Sequence, residues 1–211
     1  HDGLTGFRRV KTDRGIDWGR FIDVDLRPHD GPLAVKKKRL QFAYRIDTSL
    51  VNPLHHLPHA IASNPSSLAS RNLLRAWRLG LPSGQQVAAA MCIKPLDDED
   101  ILIGQGLKNL KPRPGSIVAI NKVFAGNCPL CTYILAEAML HQHNVQIPVA
   151  GKKVFISTPQ LGPVGGRIVA EVFLGLMFGD SNSLLSLDPI WTPASGPRYA
   201  LKDFVNYALG K

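Results

Sequence analysis

Apolar positions along this chain recur mainly at helical spacing. Leu68 to Leu79 carries apolar residues three and four apart, with Ser66 or Ser67 as a cap and Gly80 then Pro82 ending the run. Ser83 opens a second predicted helix through Cys92, with Val87, Ala90 and Met91 facing inward. A third runs from about Pro129 to Gln142, and a fourth from Pro163 to Phe178 has Val169, Val172, Phe173 and Leu176 on one side. Gly162, Gly165, Gly166 and Ala170 would let that fourth helix approach a neighbour closely. Ala200 to Leu209 reads as a terminal helix with Phe204, Tyr207 and Ala208 as its buried face.

Between these elements the pattern is weaker. Ile16-Asp17-Trp18 and Phe21-Ile22-Asp23 predict a short amphipathic helical segment, Pro28 to Pro32 a turn, and Lys38 to Ile46 a short strand or irregular run. Asp47-Thr48-Ser49 reads as a helix start, and Asn52 to Pro65 as a loop holding at most one helical turn. Asp97, Asp98, Glu99 and Asp100 suit a helix N-terminus ahead of Ile101-Leu102-Ile103. Lys108 to Gly126 and Asn144 to Gln160 read as loops, and Ser181 to Pro197 as a turn-rich stretch anchored by Trp191. No internal repeat is present. The sum is a mostly α protein with little β.

Chemistry enters on the helix that begins at Leu68. Asn72 and Arg75 are three apart, so they project from one side, one turn from each other. Leu73, Leu74 and Trp77 form the neighbouring apolar stripe, expected to hold the polar pair in place. A carboxamide beside a guanidinium suits a site that orients one polar group and neutralises an anion.

Those residues, with the Leu79-Gly80-Leu81-Pro82-Ser83-Gly84-Gln85 run, resemble a segment of the animal-type haem peroxidase superfamily, its bacterial and fungal members above all. Leu161-Gly162-Pro163, leading through an apolar helix to Gly179-Asp180, is a second point of similarity. Arg45-Ile46-Asp47 through Pro53-Leu54 is a third. The resemblance extends from about Gly6 to Lys211 and corresponds to the C-terminal part of that family's catalytic domain. It implies the C-terminal part of the animal haem peroxidase fold over residues 1–211, mostly α. The implied activity is that of a haem-dependent peroxidase, with hydrogen peroxide or an organic peroxide as acceptor and a small-molecule donor.

By the same resemblance Asn72 accepts the N–H of the histidine that binds the iron, and Arg75 pairs with a haem propionate. The family's distal histidine and arginine, and its proximal histidine in an Arg-Phe-Gly-His context, precede the matched region and have no counterpart here. The expected partner is therefore an upstream part of the same peroxidase, as the same polypeptide, a cleaved chain or a second subunit. The two side chains must face a tetrapyrrole pocket rather than open water for this to hold. Two other readings stand beside it: a haem fatty-acid dioxygenase, which needs a tyrosine near the haem, and a non-catalytic helical binding module without cofactor.

Composition changes this picture little. The 211 residues suffice for one or two domains with a real core, and 45% hydrophobic content is ordinary. Net charge is +9, but only Lys36, Lys37, Lys38 and Arg39 form a basic run, and few aromatics interleave with it. That reads as a solvated loop, so no nucleic-acid partner is expected. The most apolar stretch, Leu161 to Phe178, contains Arg167 and Glu171 and is too short for a transmembrane segment.

Cys92, Cys128 and Cys131 are odd in number, which rules out a fully paired disulfide framework within the chain. Cys128-Pro129-Leu130-Cys131 has thiol-redox spacing at a helix start, where a thiol pKa would be lowered, but lacks a βαβ context. His55, His56 and His59 lie in a Pro-broken loop with no acid or cysteine to complete a metal site. His141 and His143 suit a helix C-terminus. Taken alone, Asn72 reads as a buried amide serving backbone groups, and Arg75 as a surface or structural ion-pair partner. Only the surrounding pattern favours a haem site. Compartment is not legible in the sequence.

Overall fold

The computed structural model describes residues 46–62, 64–104, 115–149, 152–194 and 196–210. The amphipathic segment near Trp18, the turn at Pro28, the basic run at Lys36 and the strand or irregular run before Ile46 lie outside them. The chain divides into two compact units, one of Tyr44–His143 with Ser157–Phe173, the other holding Asn144–Ile156 and Leu174–Lys211. Helices dominate the described residues, so the protein is mostly α.

In the first of these units the elements run α1 (Asn52–His55), α2 (Leu68–Arg78), α3 (Gly84–Ala90), β1 (Leu102–Ile103), β2 (Gly115–Ser116), α4 (Ile117–Ile120), a 3-10 turn (Lys122–Phe124) and α5 (Leu130–Leu140). Two serines start their helices as the sequence predicts. Ser67 Oγ accepts the Ser70 N–H at the head of α2. Ser83 and Gln86 form a reciprocal capping box at the head of α3. After α2 the chain turns out at Gly80, whose φ of 63° is one that a side chain would strain.

The core lies where α3 and α5 begin side by side. Gly84 N–H donates to Cys128 O at 2.8 Å, and Gln85 Oε1 accepts the Cys128 N–H at 2.9 Å. Tyr133 of α5 lies over Gly84 so closely that a Cβ there would stand 2.0 Å from its Cγ. The same ring is fully buried, and its Oη accepts the Leu96 N–H at 2.9 Å. Ala88, Ile101, Ile117, Ala136 and Val164 complete this cluster.

A second contact joins α5 to α6 (Pro163–Gly179). Glu137, 2% exposed, sends its carboxylate to the first turn of α6, accepting the Val164 N–H at 3.1 Å and the Gly165 N–H at 3.1 Å. Helix N-termini carry unpaired N–H groups and partial positive charge, so this acid serves as a cap supplied by another helix. Gly162 makes room for it: a Cβ there would meet Glu137 Cγ at 2.3 Å. Gly165 similarly admits Ile134, whereas a Cβ at Gly166 would make only ordinary contact with Leu161, and Ala170 is exposed.

Several expectations are corrected. Asn144 to Gln160 is not a loop: β3 (Gln142–Val149) and β4 (Lys152–Pro159) pair as a two-stranded sheet. The acidic run opens no helix. It forms a turn at 98–100 leading through Ile101 into β1, where Leu102 pairs antiparallel with Ser116. Asp98 is consumed there, its two oxygens accepting the Gly126 N–H and its Oδ1 also accepting from Gln85 Nε2.

The described part of Lys108 to Gly126 holds β2, α4 and the 3-10 turn rather than plain loop. Asp47 starts no helix; its Oδ1 accepts from the Ser49 N–H. In α3 it is Ala88 that is buried, while Ala90 is exposed.

In the other unit, α7 (Leu184–Leu187) and α8 (Leu201–Ala208) follow the end of α6. Val205 is the buried residue of α8, with Phe204 and Tyr207 exposed instead of forming its buried face. Trp191 is half exposed rather than anchored. Along α6, Val169, Val172, Phe173 and Leu176 are exposed, the apolar side predicted for that helix being left uncovered. Among the described residues no helix is long and apolar enough to cross a membrane.

Candidate functional site

Helix α2 is strongly amphipathic yet buries none of its residues. It contains no acid, and Arg71, Arg75 and Arg78 are all exposed along it. Asn72 and Arg75 do project from one side of α2, and both are exposed. Neither side chain has a hydrogen bond or ion pair among the described residues. The apolar stripe expected to fix them is itself open, with Trp77 77% and Leu73 40% exposed. For a chain taken alone, the pair therefore faces outward.

Asn72 also borders a cavity. Its volume is about 320 Å³, and its walls come from α2, α5, β1, α4 and the residues around Ser49. Leu68, Ile103, Ile117, Phe124 and Leu135 are among the apolar residues that line it. Thr48 on the wall is committed: its Oγ1 accepts the Gly104 N–H at 2.7 Å. Arg75 is not among the lining residues; it stands one turn beyond Asn72 on the same helix.

A carboxamide and a guanidinium on one helix edge, both without a partner among the described residues, fit in kind a group that presents an N–H and an acid. They do not supply an iron ligand. Among the described residues no group of three or more His, Cys, Asp or Glu is arranged to hold a metal ion. His55, His56 and His59 are exposed at and beyond the end of α1. His141 caps the end of α5, and His143 falls in β3 rather than at the helix end.

Cys128 behaves opposite to expectation. Cys131 sits in the first turn of α5, but Pro129 is extended (φ -53°, ψ 133°), leaving Cys128 outside that turn and wholly buried. Burial pushes the Cys128 thiol up to about 12, helped by the nearby Cys131 and Asp98. A thiol that resists ionisation is a poor nucleophile. All three cysteines are free. Of the tyrosines, Tyr133 is spent on packing and on Leu96, while Tyr199 and Tyr207 are exposed.

Glu137 and the cavity are the features that sequence reading misses. The signal for Glu137 was present: a lone acid in the apolar run Leu130–Leu140, and a later helix starting after Gly162 with no capping side chain. No protein-family model matches the chain, and no curated protein or solved structure is significantly similar to it.

Proposed function

We propose that this chain forms the proximal side of a haem-dependent peroxidase site, with the iron ligand and the peroxide-facing groups supplied by an upstream part of the same enzyme. The observation that carries the reading is the Asn72–Arg75 edge of α2: two adjacent polar groups, both unpartnered among the described residues, on a helix that buries nothing. Since both are exposed, the reading requires that further polypeptide cover this face.

Haem, when bound, supplies the redox chemistry that reduces a peroxide and oxidises a donor. The chain's own residues orient and hold. The Asn72 carbonyl oxygen accepts the second N–H of the imidazole bound to iron, which fixes the ring and makes it a stronger electron donor. Arg75 holds a propionate by charge-assisted hydrogen bonds, where its planar fork matches a carboxylate as lysine cannot.

Haem titration of the chain assembled with a polypeptide carrying the upstream histidine region tests this. The assembly gains a Soret band, and Arg75→Gln weakens haem binding by roughly tenfold. An assembly that stays colourless, or that binds haem equally well with Gln at 75, overturns it.

A further inference from the structure

The cavity behind Asn72 has a use that the haem reading does not need. Among the described residues its lining contains no Asp, Glu, Lys, Arg or His. Bringing a charged group into such a place costs far more than bringing a neutral one. Its polar side chains are few, and two of them are committed: Thr48 is bonded to Gly104 and Ser49 to Asp47. The Asn72 carboxamide and the Thr132 hydroxyl, both on the wall, have no partner among the described residues. At about 320 Å³ the space lies at the small end of ligand pockets.

We propose that this cavity binds a small neutral molecule with an apolar body and one hydrogen-bonding group, an alcohol or a carbonyl, held at its polar end by Asn72. A primary carboxamide offers one acceptor oxygen and two N–H donors. The N–H₂ end therefore serves a cavity ligand while the oxygen is engaged elsewhere, and the proposal stands with or without haem.

Three probes of one shape separate the possibilities: benzyl alcohol, toluene and benzoate, each titrated into the full chain while isoleucine and leucine methyl resonances are followed by NMR. Benzyl alcohol shifts the methyls of Ile103, Ile117 and Leu135. Toluene binds roughly threefold to tenfold more weakly, the worth of one hydrogen bond. Benzoate binds at least about tenfold more weakly, because its charge must be desolvated.

Asn72→Leu, on an exposed side of α2, abolishes the difference between benzyl alcohol and toluene. Ala69→Phe, on the cavity wall, removes binding of both; should that variant not fold, Asn72→Leu still decides. Benzoate binding as tightly as benzyl alcohol, or an unchanged alcohol-to-toluene ratio in Asn72→Leu, overturns the proposal. So do methyl resonances unmoved by benzyl alcohol near its solubility limit, the result expected if another polypeptide segment fills the space.

Discussion

Helices α2 and α5 are each 11 residues long, and they divide the labour of this chain between them. Five residues of α5 are buried, including the aromatic ring that covers Gly84 and the acid that caps α6. None of α2 is buried, although its polar and apolar sides are sharply separated. An amphipathic helix gains its stability from covering its apolar face. The difference teaches that α5 is committed to this chain's own core, whereas α2 presents a face. The haem-site reading rests on that face, and the stability of the fold rests on the other helix.

The comparison breaks first if the α5 contacts are weak. Gly84→Ala drives a Cβ into the Tyr133 ring, and Glu137→Ala leaves the Val164 and Gly165 N–H groups buried without acceptors. Each is expected to destabilise the chain by about 3 kcal/mol, read as a lower urea midpoint. A wild-type midpoint in Glu137→Ala would mean that α6 starts without this cap.

Alkaline pH sharpens it next. The Cys128 thiol is raised from the ordinary 9.0 to about 12 in the folded protein, so between those values the unfolded chain is the more ionised and binds fewer protons. Stability is intact below pH 9 and falls as pH climbs toward 12, at up to about 1.4 kcal/mol per pH unit. Cys128→Ala should flatten that slope in urea melts between pH 9 and 11, whatever it costs at neutral pH.

Smaller effects follow from single hydrogen bonds at the α3 and α5 junction. Ser83→Ala removes the cap of α3, and Tyr133→Phe removes the acceptor of the Leu96 N–H, each costing about 1 kcal/mol. On the α2 face, Asn72→Ala and Arg75→Gln are expected to leave the midpoint within about 0.5 kcal/mol, because among the described residues neither exposed side chain has a hydrogen-bond or ion-pair partner. A large loss there would make the pair structural and remove its claim to a ligand.

The parts legible in the sequence are those whose physics is local. Ser67 and Ser83 signal helix starts because a hydroxyl two or three residues from a free N–H acts without tertiary help. Gly80 marks the end of α2 for a similarly local reason, its left-handed backbone. The one-turn spacing of Asn72 and Arg75 is also read correctly, being a property of any helix.

What escaped depends on distant partners. The acid at 137 acquires its role only when α6 is brought to it from 27 residues away. The pairing of β3 with β4 escaped for another reason: Val145, Ile147 and Val149 alternate with Asn144, Gln146 and Pro148, a strand signal that the loop reading passes over. Periodicity names the faces of α6 and α8 but not what covers them, so Phe204 and Tyr207, expected inside, lie exposed, as does Phe173 on the apolar side of α6. The buried position of Cys128 likewise comes from packing against distant segments, and that burial is the main cause of its raised pKa, with Cys131 of the same CxxC adding to it.

The most direct test of the haem-site reading is the reduction potential of the iron in the haem-loaded assembly, wild type against Asn72→Ala and Asn72→Asp. If Asn72 accepts the imidazole N–H, removing or charging that acceptor moves the potential in opposite directions, upward for Ala and downward for Asp. Identical potentials in all three proteins would contradict the assignment and leave α2 as a face for some other partner.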